Sequence, residues 1–343
     1  MKNEIKLLND REKLVLYSIV KNFILTANPV ASTYIAKKSA LTFSSATIRN
    51  IMSELEDKGF IYQPHTSAGR VPTSIGYRIF VDQIMKKGRL TTDEKNRIRE
   101  VIKIGSGDYE NTLKESSRIL AHLSQQLSVI VSPRLGEGIF QRMDISRLSS
   151  SRLLLVITIQ SGLVKTIILE IDSDISDQQL NFLEKVLNER LQGLKIKEIR
   201  SKFDEIVTDI ESEKSGILHL FMESADRIFD FSDDNDVYLT GTYNLLRKVD
   251  FGGSQDLSSV VEILEDKNII VHLLDLDSPL PEINVMIGDE IDESNMKNCS
   301  IISARYKIGQ VKGTIGIIGP TRMDYSHLIP LVEFTAQALT DKS

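Results

Sequence analysis

From Asn9 onward apolar residues recur at three- and four-residue intervals (Val15, Leu16, Ile19, Val20, Phe23, Ile24), the spacing of an amphipathic helix of about four or five turns. Asn9, with Glu12 three residues later, supplies a capping box, and Asn28-Pro29 breaks the run. Ser32 is placed to cap a shorter second helix through Tyr34, Ile35, Ala36 and Lys37, after which "ALTF" reads as the tight turn of a helix-turn-helix. Ser44 or Ser45 opens a third helix and Gly59 closes it, as a residue able to turn left-handed past the last turn. Ile48, Ile51, Met52 and Leu55 form the apolar stripe of that helix. Thr47, Arg49, Asn50 and Ser53 fall outside the stripe, toward the N-terminal half. "FIYQ" then predicts a strand, Pro64 with "HTSAG" a turn, and "RVPT" a return strand that Pro72 cuts short.

Farther along, "TSIGYRIFVDQIM" reads as a helix capped by Thr73, "TTDEKNRIREVI" as another starting near Thr92, and residues 109 to 127 as a third with Leu113, Ser117, Leu120 and Ser124 on one face. The period then changes to two. "SVIVS", "FQRMDIS", "RLLLVITIQ" and "VKTIILEI" predict strands, with Ser161-Gly162 as a tight hairpin turn. Helical runs follow at about 176 to 190 and 202 to 231. Short strands return in "VYLTG", "INVMIG", "SIISARY" and "TIGIIGP", and a helix near 325 to 340 closes the pattern. Mixed elements in this order predict an α+β, multidomain chain.

Composition sharpens this picture. A hydrophobic share of 41% and a charged share of 26% describe a globular protein, and 343 residues suggest two or three domains. No stretch approaches the roughly 18 consecutive apolar residues of a membrane span, so no membrane partner and a cytoplasmic location are expected. A single cysteine, Cys299, forms no internal disulfide, and the five histidines lack ligand spacing. The net charge of -6 is unevenly divided: residues 1–90 carry 14 Lys+Arg against 7 Asp+Glu, and the remainder 28 against 41. A basic head on an acidic body points to a polyanion met by the head alone.

The chemistry at the third helix fits such a partner. Arginine pairs with two guanine acceptors, asparagine with an adenine edge, and a helix N-terminus favours phosphate oxygens. Arg49 and Asn50 are therefore the candidates for base contact in double-stranded DNA, with Ser45, Thr47 and Ser53 in support. Three helices followed by a two-stranded ribbon predict a winged helix, whose ribbon tip commonly meets the flanking backbone, making His65, Thr66, Ser67 and Arg70 the candidates there. An ordinary solvated helix face is the competing interpretation. In the body, "GTIGIIGPTR" lacks the endings of a P-loop or dinucleotide fingerprint and reads as an apolar strand with a Gly-Pro turn. Asp289, Glu290, Asp292 and Glu293 read as a solvated loop, Cys299 as core, and "SDDND" at 232 to 236 as a surface turn. No catalytic group, metal site or cofactor is expected.

The stretch "SSATIRNIMSELEDKGFIYQPHTSAGRVPTSIGYRIFVD" resembles the HrcA family of bacterial heat-inducible transcription repressors, as do "YLTGTYNLL" and "CSIISARYKIGQVKGTIGIIGPTRMDYSHLIPLV". Ala31, where the family usually has Gly, and Ile51, where an acidic residue is common, depart from its pattern. The resemblance implies a winged helix-turn-helix with its bridging helix at 1–90, a GAF-like α+β domain at 105–147 and 236–343, and an inserted α+β dimerisation domain at 148–235. It implies a homodimer that represses chaperone operons through an inverted-repeat operator of the CIRCE type, with chaperonin as modulating partner. Two alternatives keep the DNA-binding head: a GAF-like body that senses a small molecule, and a bifunctional repressor-enzyme. The second needs a convergent polar cluster that the body's sequence does not display.

Overall fold

The computed structural model describes residues 8–38, 43–104, 109–171, 175–208, 216–230, 236–248, 261–262, 264, 266–274 and 283–341. In the head, helices α1 (Asp10–Thr26), α2 (Ser32–Lys38) and α3 (Ser45–Asp57) close around Val15, Leu16, Ile19, Ile35, Ile48 and Leu55, all buried. Local chemistry sets their ends. Asn9 and Glu12 exchange the two bonds of a capping box at 3.0 and 2.9 Å, and Ser44 Oγ accepts the Thr47 N–H at 3.1 Å. Helix α1 ends at a left-handed Ala27, just ahead of Asn28-Pro29, and Gly59 at φ +80° follows α3. Of the expected "ALTF" turn, Ala40, Leu41 and Thr42 lie outside the described residues. Strands β1 (Ile61–Tyr62) and β2 (Val71–Pro72) pair antiparallel, Ile61 opposite Pro72 and Tyr62 opposite Val71.

Thr73 caps α4 (Ser74–Ile79), its Oγ1 accepting from Gly76 N at 3.1 Å and donating to Gly59 O at 2.7 Å. The expected helix does not run straight to Met85. A π turn over Phe80–Ile84 widens it, burying Phe80 beside Tyr17 of α1. Helices α5 (Thr92–Ile104) and α6 (Tyr109–Ser124) lead into the body.

The body is an antiparallel five-stranded sheet. Its strands are β3 (Leu127–Val131), β7 (Val237–Thr240), β8 (Ile283–Ile287), β9 (Cys299–Ile308) and β10 (Val311–Pro320), in the order β7-β3-β10-β9-β8. Both faces are covered, and β3 is accordingly buried at every position. One face lies under α6 and the C-terminal helix, Tyr325–Asp341. The other meets Leu245 of α10 (Thr242–Lys248), and Ile270 and Leu274 of α11 (Lys267–Leu274). Between α6 and the sheet, Ser117 Oγ lies within hydrogen-bonding distance of Thr240 Oγ1 at 3.0 Å and Ser128 Oγ at 3.3 Å. "GTIGIIGPTR" is strand through Pro320, and Cys299 is wholly buried, its thiol pKa pushed up by burial to about 12.

A second antiparallel sheet, of three strands, branches from the first between β3 and β7. It runs β4 (Phe140–Ser149), β5 (Arg152–Ile159), β6 (Val164–Glu170), with α7 (Asp177–Leu191), α8 (Ile196–Val207) and α9 (Gly216–Ile228) alongside. Strand β4 pairs along its length with β5, so the expected division at 148 falls inside a hairpin. The pairing shifts register between Phe140 and Arg142 and again between Arg147 and Ser149. The helical run expected at 202 to 231 starts earlier, at Ile196, and bends where Lys202 leaves helical geometry. Residues 209–215 lie outside the described set, as does most of "SDDND". Side chains of α7 close the outer edge of β4: Asn188 brackets Met143 through bonds of 2.7 and 2.8 Å, and Glu184 accepts from Ile145 N at 2.8 Å. Strand β6 is the other edge. No helix among the described residues is long and apolar enough to cross a membrane.

Candidate nucleic-acid interface

Helix α3 turns Ile48, Ile51, Met52 and Leu55 into the head and leaves the opposite stripe outside. Arg49, Asn50 and Ser53 are exposed on it and make no hydrogen bond or ion pair among the described residues. Ser45 and Thr47 sit lower and half-buried: Ser45 Oγ is 3.4 Å from Ser32 Oγ of α2, and the Thr47 hydroxyl is 2.9 Å from that of Ser44. The stripe has a polarity. Arg49 lies near the helix N-terminus, whose unpaired N–H groups attract anions, while the exposed Glu54 and Asp57 near the other end repel them.

His65, Thr66 and Ser67 are exposed at the ribbon tip. Gln63 braces them from within, its Nε2 donating to the Thr66 and Ala68 carbonyls at 2.9 Å each. Arg70 is placed differently. Its guanidinium is ion-paired with Glu56 of α3 at 2.8 Å, and its backbone exchanges two 2.9 Å bonds with Val30. Arg70, expected at a phosphate, here ties the return strand to the helices behind it. Gly69 is required by the same contact, since a Cβ there would stand 2.4 Å from the Val30 backbone. The sequence reading also passed over Lys37 and Lys38, the basic last turn of α2. Both are exposed, and Lys38 Nζ lies 5.2 Å from the Tyr34 ring centroid.

One buried carboxylate stiffens the frame behind these residues. Glu12, 1% exposed, receives the Lys58 ammonium from the end of α3 and the Asn9 N–H. Burial pushes its pKa up, but the bonds from Lys58 and Asn9 outweigh that and hold it below the ordinary carboxylate value.

The head is fastened to the body by α4 and the segment after it. Arg78 donates through Nε to Glu290 Oε1 at 2.8 Å, through Nη2 to Glu290 Oε2 and the Val285 carbonyl, and through Nη1 to Asp82 at 3.2 Å. The Glu290 bond raises the guanidinium pKa further, over the opposing effect of burial. Ser74 Oγ donates to Asp289 at 3.1 Å. The acidic pair expected in a solvated loop is therefore a docking site, which sequence could not disclose because its partners lie more than 200 residues away. Beyond α4, Gly88 N donates to Ser326 O at 2.9 Å, and His327 Nε2 lies 2.7 Å from Glu94 Oε1.

Comparison with known proteins gives a consistent result. A family model described as the HrcA protein C terminal domain matches residues 110–329. The chain is 38% identical over 344 residues to the heat-inducible transcription repressor HrcA of Prosthecochloris aestuarii, covering 97% of each chain. It is 37% identical over 344 residues to that of Chlorobium phaeobacteroides, again covering 97% of each. A crystal structure described as a hypothetical protein is similar at TM-score 0.61 and 25% identity, with 98% of this chain and 100% of that one covered.

Proposed function

The chain belongs to the HrcA family of heat-inducible transcription repressors, and from that premise we propose that it represses by binding an inverted-repeat operator of the CIRCE type as a homodimer. The observation that carries the proposal is the outward stripe of α3, whose Arg49, Asn50 and Ser53 are unengaged beside a basic α2 terminus and a braced ribbon. Three helices with such a ribbon have the arrangement of a winged helix. In this proposal α3 enters the major groove, Arg49 and Asn50 read base edges, and Ser45, Thr47 and Ser53 support them. His65, Thr66 and Ser67 lie against the flanking backbone, joined by Lys37 and Lys38, while Arg70 holds the ribbon in place through Glu56.

The remaining architecture follows the same proposal. The five-stranded unit is the GAF-like domain and the three-stranded unit an inserted dimerisation domain beginning near β4. One winged helix reads too few base pairs for useful discrimination, so two heads at fixed spacing are required. The open face of the three-stranded sheet offers the contact. Ile168 and Val164 on β6 are 48% and 52% exposed, and across the register stand half-buried Leu154 beside Ile168 and Val156 nearby. These four apolar side chains, set among Thr158 and Thr166, are suited to burial against the same face of a second copy. Chaperonin is the proposed modulator, on the family resemblance alone. The relatives are named as transcription repressors, and an enzymatic body is not favoured.

Footprinting of the purified protein on its own chaperone promoters, with and without chaperonin, tests this. Symmetric protection of two half-sites one or more helical turns apart is expected, strengthened by chaperonin. Protection of a single half-site by a monomer, or none at all, would sink the proposal.

A further inference from the structure

The chain beyond residue 90 is acidic, with 28 Lys+Arg against 41 Asp+Glu, yet one cavity in it reverses that balance. About 450 Å³ opens between the five-stranded sheet and the entry to the three-stranded unit, a size within the roughly 300–1,000 Å³ of small-molecule sites. Among its described lining residues, Arg134, Lys195, Arg305 and Lys312 stand against a single carboxylate, Glu137. That carboxylate is already matched, since the Lys197 ammonium lies 2.8 Å from it. Arg134 and Arg305 hold interactions within the chain. Lys195 and Lys312 are exposed, and their ammonium groups make no hydrogen bond or ion pair among the described residues. An anion between them offsets the repulsion of like charges lining one space.

The sheet supplies one wall. In the strand register Thr314 of β10 stands between Arg305 of β9 and Val131 of β3, and Lys312, two residues earlier, shares its face. Val271 and Leu274 of α11 border the same cavity. The other wall belongs to the three-stranded unit, where Ile139 and Lys195 form an isolated bridge at its entry. Arg134 and Glu137 lie on the segment leading there from β3. The two units touch beside the cavity: a Cβ on Gly309, in the β9–β10 turn, would stand 2.9 Å from Ser161 Cβ in the β5–β6 turn. The next residue, Gln310, lines the cavity.

We propose that this cavity binds an organic polyphosphate of the nucleoside triphosphate class, its phosphates held by Lys195 and Lys312 with Arg134 and Arg305, its base against the apolar wall of Val131, Ile139, Val271 and Leu274. Lysine and arginine are the donors that phosphate oxygens favour. A triphosphate carries about four negative charges at pH 7, which matches the four cations. The ligand touches sheet and three-stranded unit at once, so its binding is linked to their relative placement, and the link is reciprocal. In the dimer proposed above, that placement sets the spacing of the two heads.

Isothermal titration of the full chain with ATP, inorganic triphosphate and adenosine tests the site without any DNA, so its outcome and that of the operator proposal remain separate. ATP saturates one site per chain, inorganic triphosphate binds there more weakly, and adenosine does not saturate. Lys195→Gln and Lys312→Gln each weaken ATP about tenfold, the effect of one charge-assisted bond, with unchanged circular dichroism. Lys37→Gln combined with Lys38→Gln, on the head, leaves ATP affinity as it was. Bound ATP slows hydrogen exchange on both walls, at residues 133–139 and 310–314. Wild-type affinity in either single lysine variant overturns the site, and a tenfold loss in the head variant moves the binding to the DNA surface and overturns it as well. Adenosine as tight as ATP overturns the phosphate assignment, and inorganic triphosphate as tight as ATP overturns the apolar wall's part. Slowed exchange on one wall alone overturns the link between the units, and absence of saturation by all three at millimolar concentration overturns the whole.

Discussion

Arg49 and Arg70 separate two ways in which an arginine can serve the head, and their alanine variants give opposite signatures. Arg49 is exposed and without a bond among the described residues, so Arg49→Ala changes stability by less than about 0.5 kcal/mol. Its cost falls on DNA: a bidentate contact to guanine is worth about 1–3 kcal/mol, roughly 5- to 150-fold in specific Kd, with little change on a shuffled duplex. Arg70 has its pair in the free protein, at 2.8 Å from Glu56 with the two side chains 21% and 32% exposed. That degree of cover lies between surface pairs worth under about 1 kcal/mol and buried pairs costing 3–5 kcal/mol to break, so about 1–2 kcal/mol of stability is at stake. Arg70→Ala therefore lowers Tm and loosens the ribbon. It weakens operator and shuffled duplex alike, but the salt slope is unchanged because no phosphate contact is lost. Fluorescence anisotropy of both duplexes across a salt series, beside thermal unfolding, reads all of these. A slope lowered by about one in Arg70→Ala would return that residue to the phosphates, and equal losses on both duplexes in Arg49→Ala would refute base reading.

Four further outcomes are expected. Glu290→Gln leaves the shape of the joint but removes its charge, and hydrogen exchange across residues 74–84 should accelerate about tenfold, the equivalent of about 1.4 kcal/mol; unchanged exchange would mean the latch contributes nothing. Glu12 has a folded pKa below 4.5, so its contribution is complete above that value and lost as pH falls through the folded pKa. The Tm gap between wild type and Glu12→Gln should narrow below pH 4.5, and a gap that widens in acid contradicts the direction. Ile168→Asp with Val164→Asp should yield a folded monomer by light scattering, whereas a persistent dimer would locate the interface elsewhere. Gly69→Ala forces a Cβ against the Val30 backbone and should cost about 2–3 kcal/mol in thermal unfolding, since neither chain can yield easily; a loss under about 0.5 kcal/mol would show that the ribbon adjusts freely.

What could be read from sequence was the part decided locally. Asn9 with Glu12, Ser44, Gly59 and Thr73 act on neighbours three or fourteen residues away at most, and each ended an element where its chemistry said it should. The outward stripe of α3 followed from helical period alone. The state of Arg70 did not, because its environment is made by Glu56 and Val30, brought together only when the ribbon folds back. The same limit hid the role of Asp289 and Glu290, whose charges looked like solvent-facing ones until Ser74 and Arg78 arrived. At β4 both strands were legible from their alternating period, but their pairing was not, because strand partners are set by the folded sheet and not by the period of either strand.

The strand order β7-β3-β10-β9-β8 has a consequence for how the chain is made. The middle position of the large sheet belongs to its last strand, so a ribosome delivers both flanks before the piece that joins them. Until β10 has emerged, β3 lacks one of its two neighbours and offers a bare margin that is apolar but for Ser128. A nascent or clipped chain ending short of β10 would carry a finished head on an unfinished body, sticky along that margin and in need of sheltering.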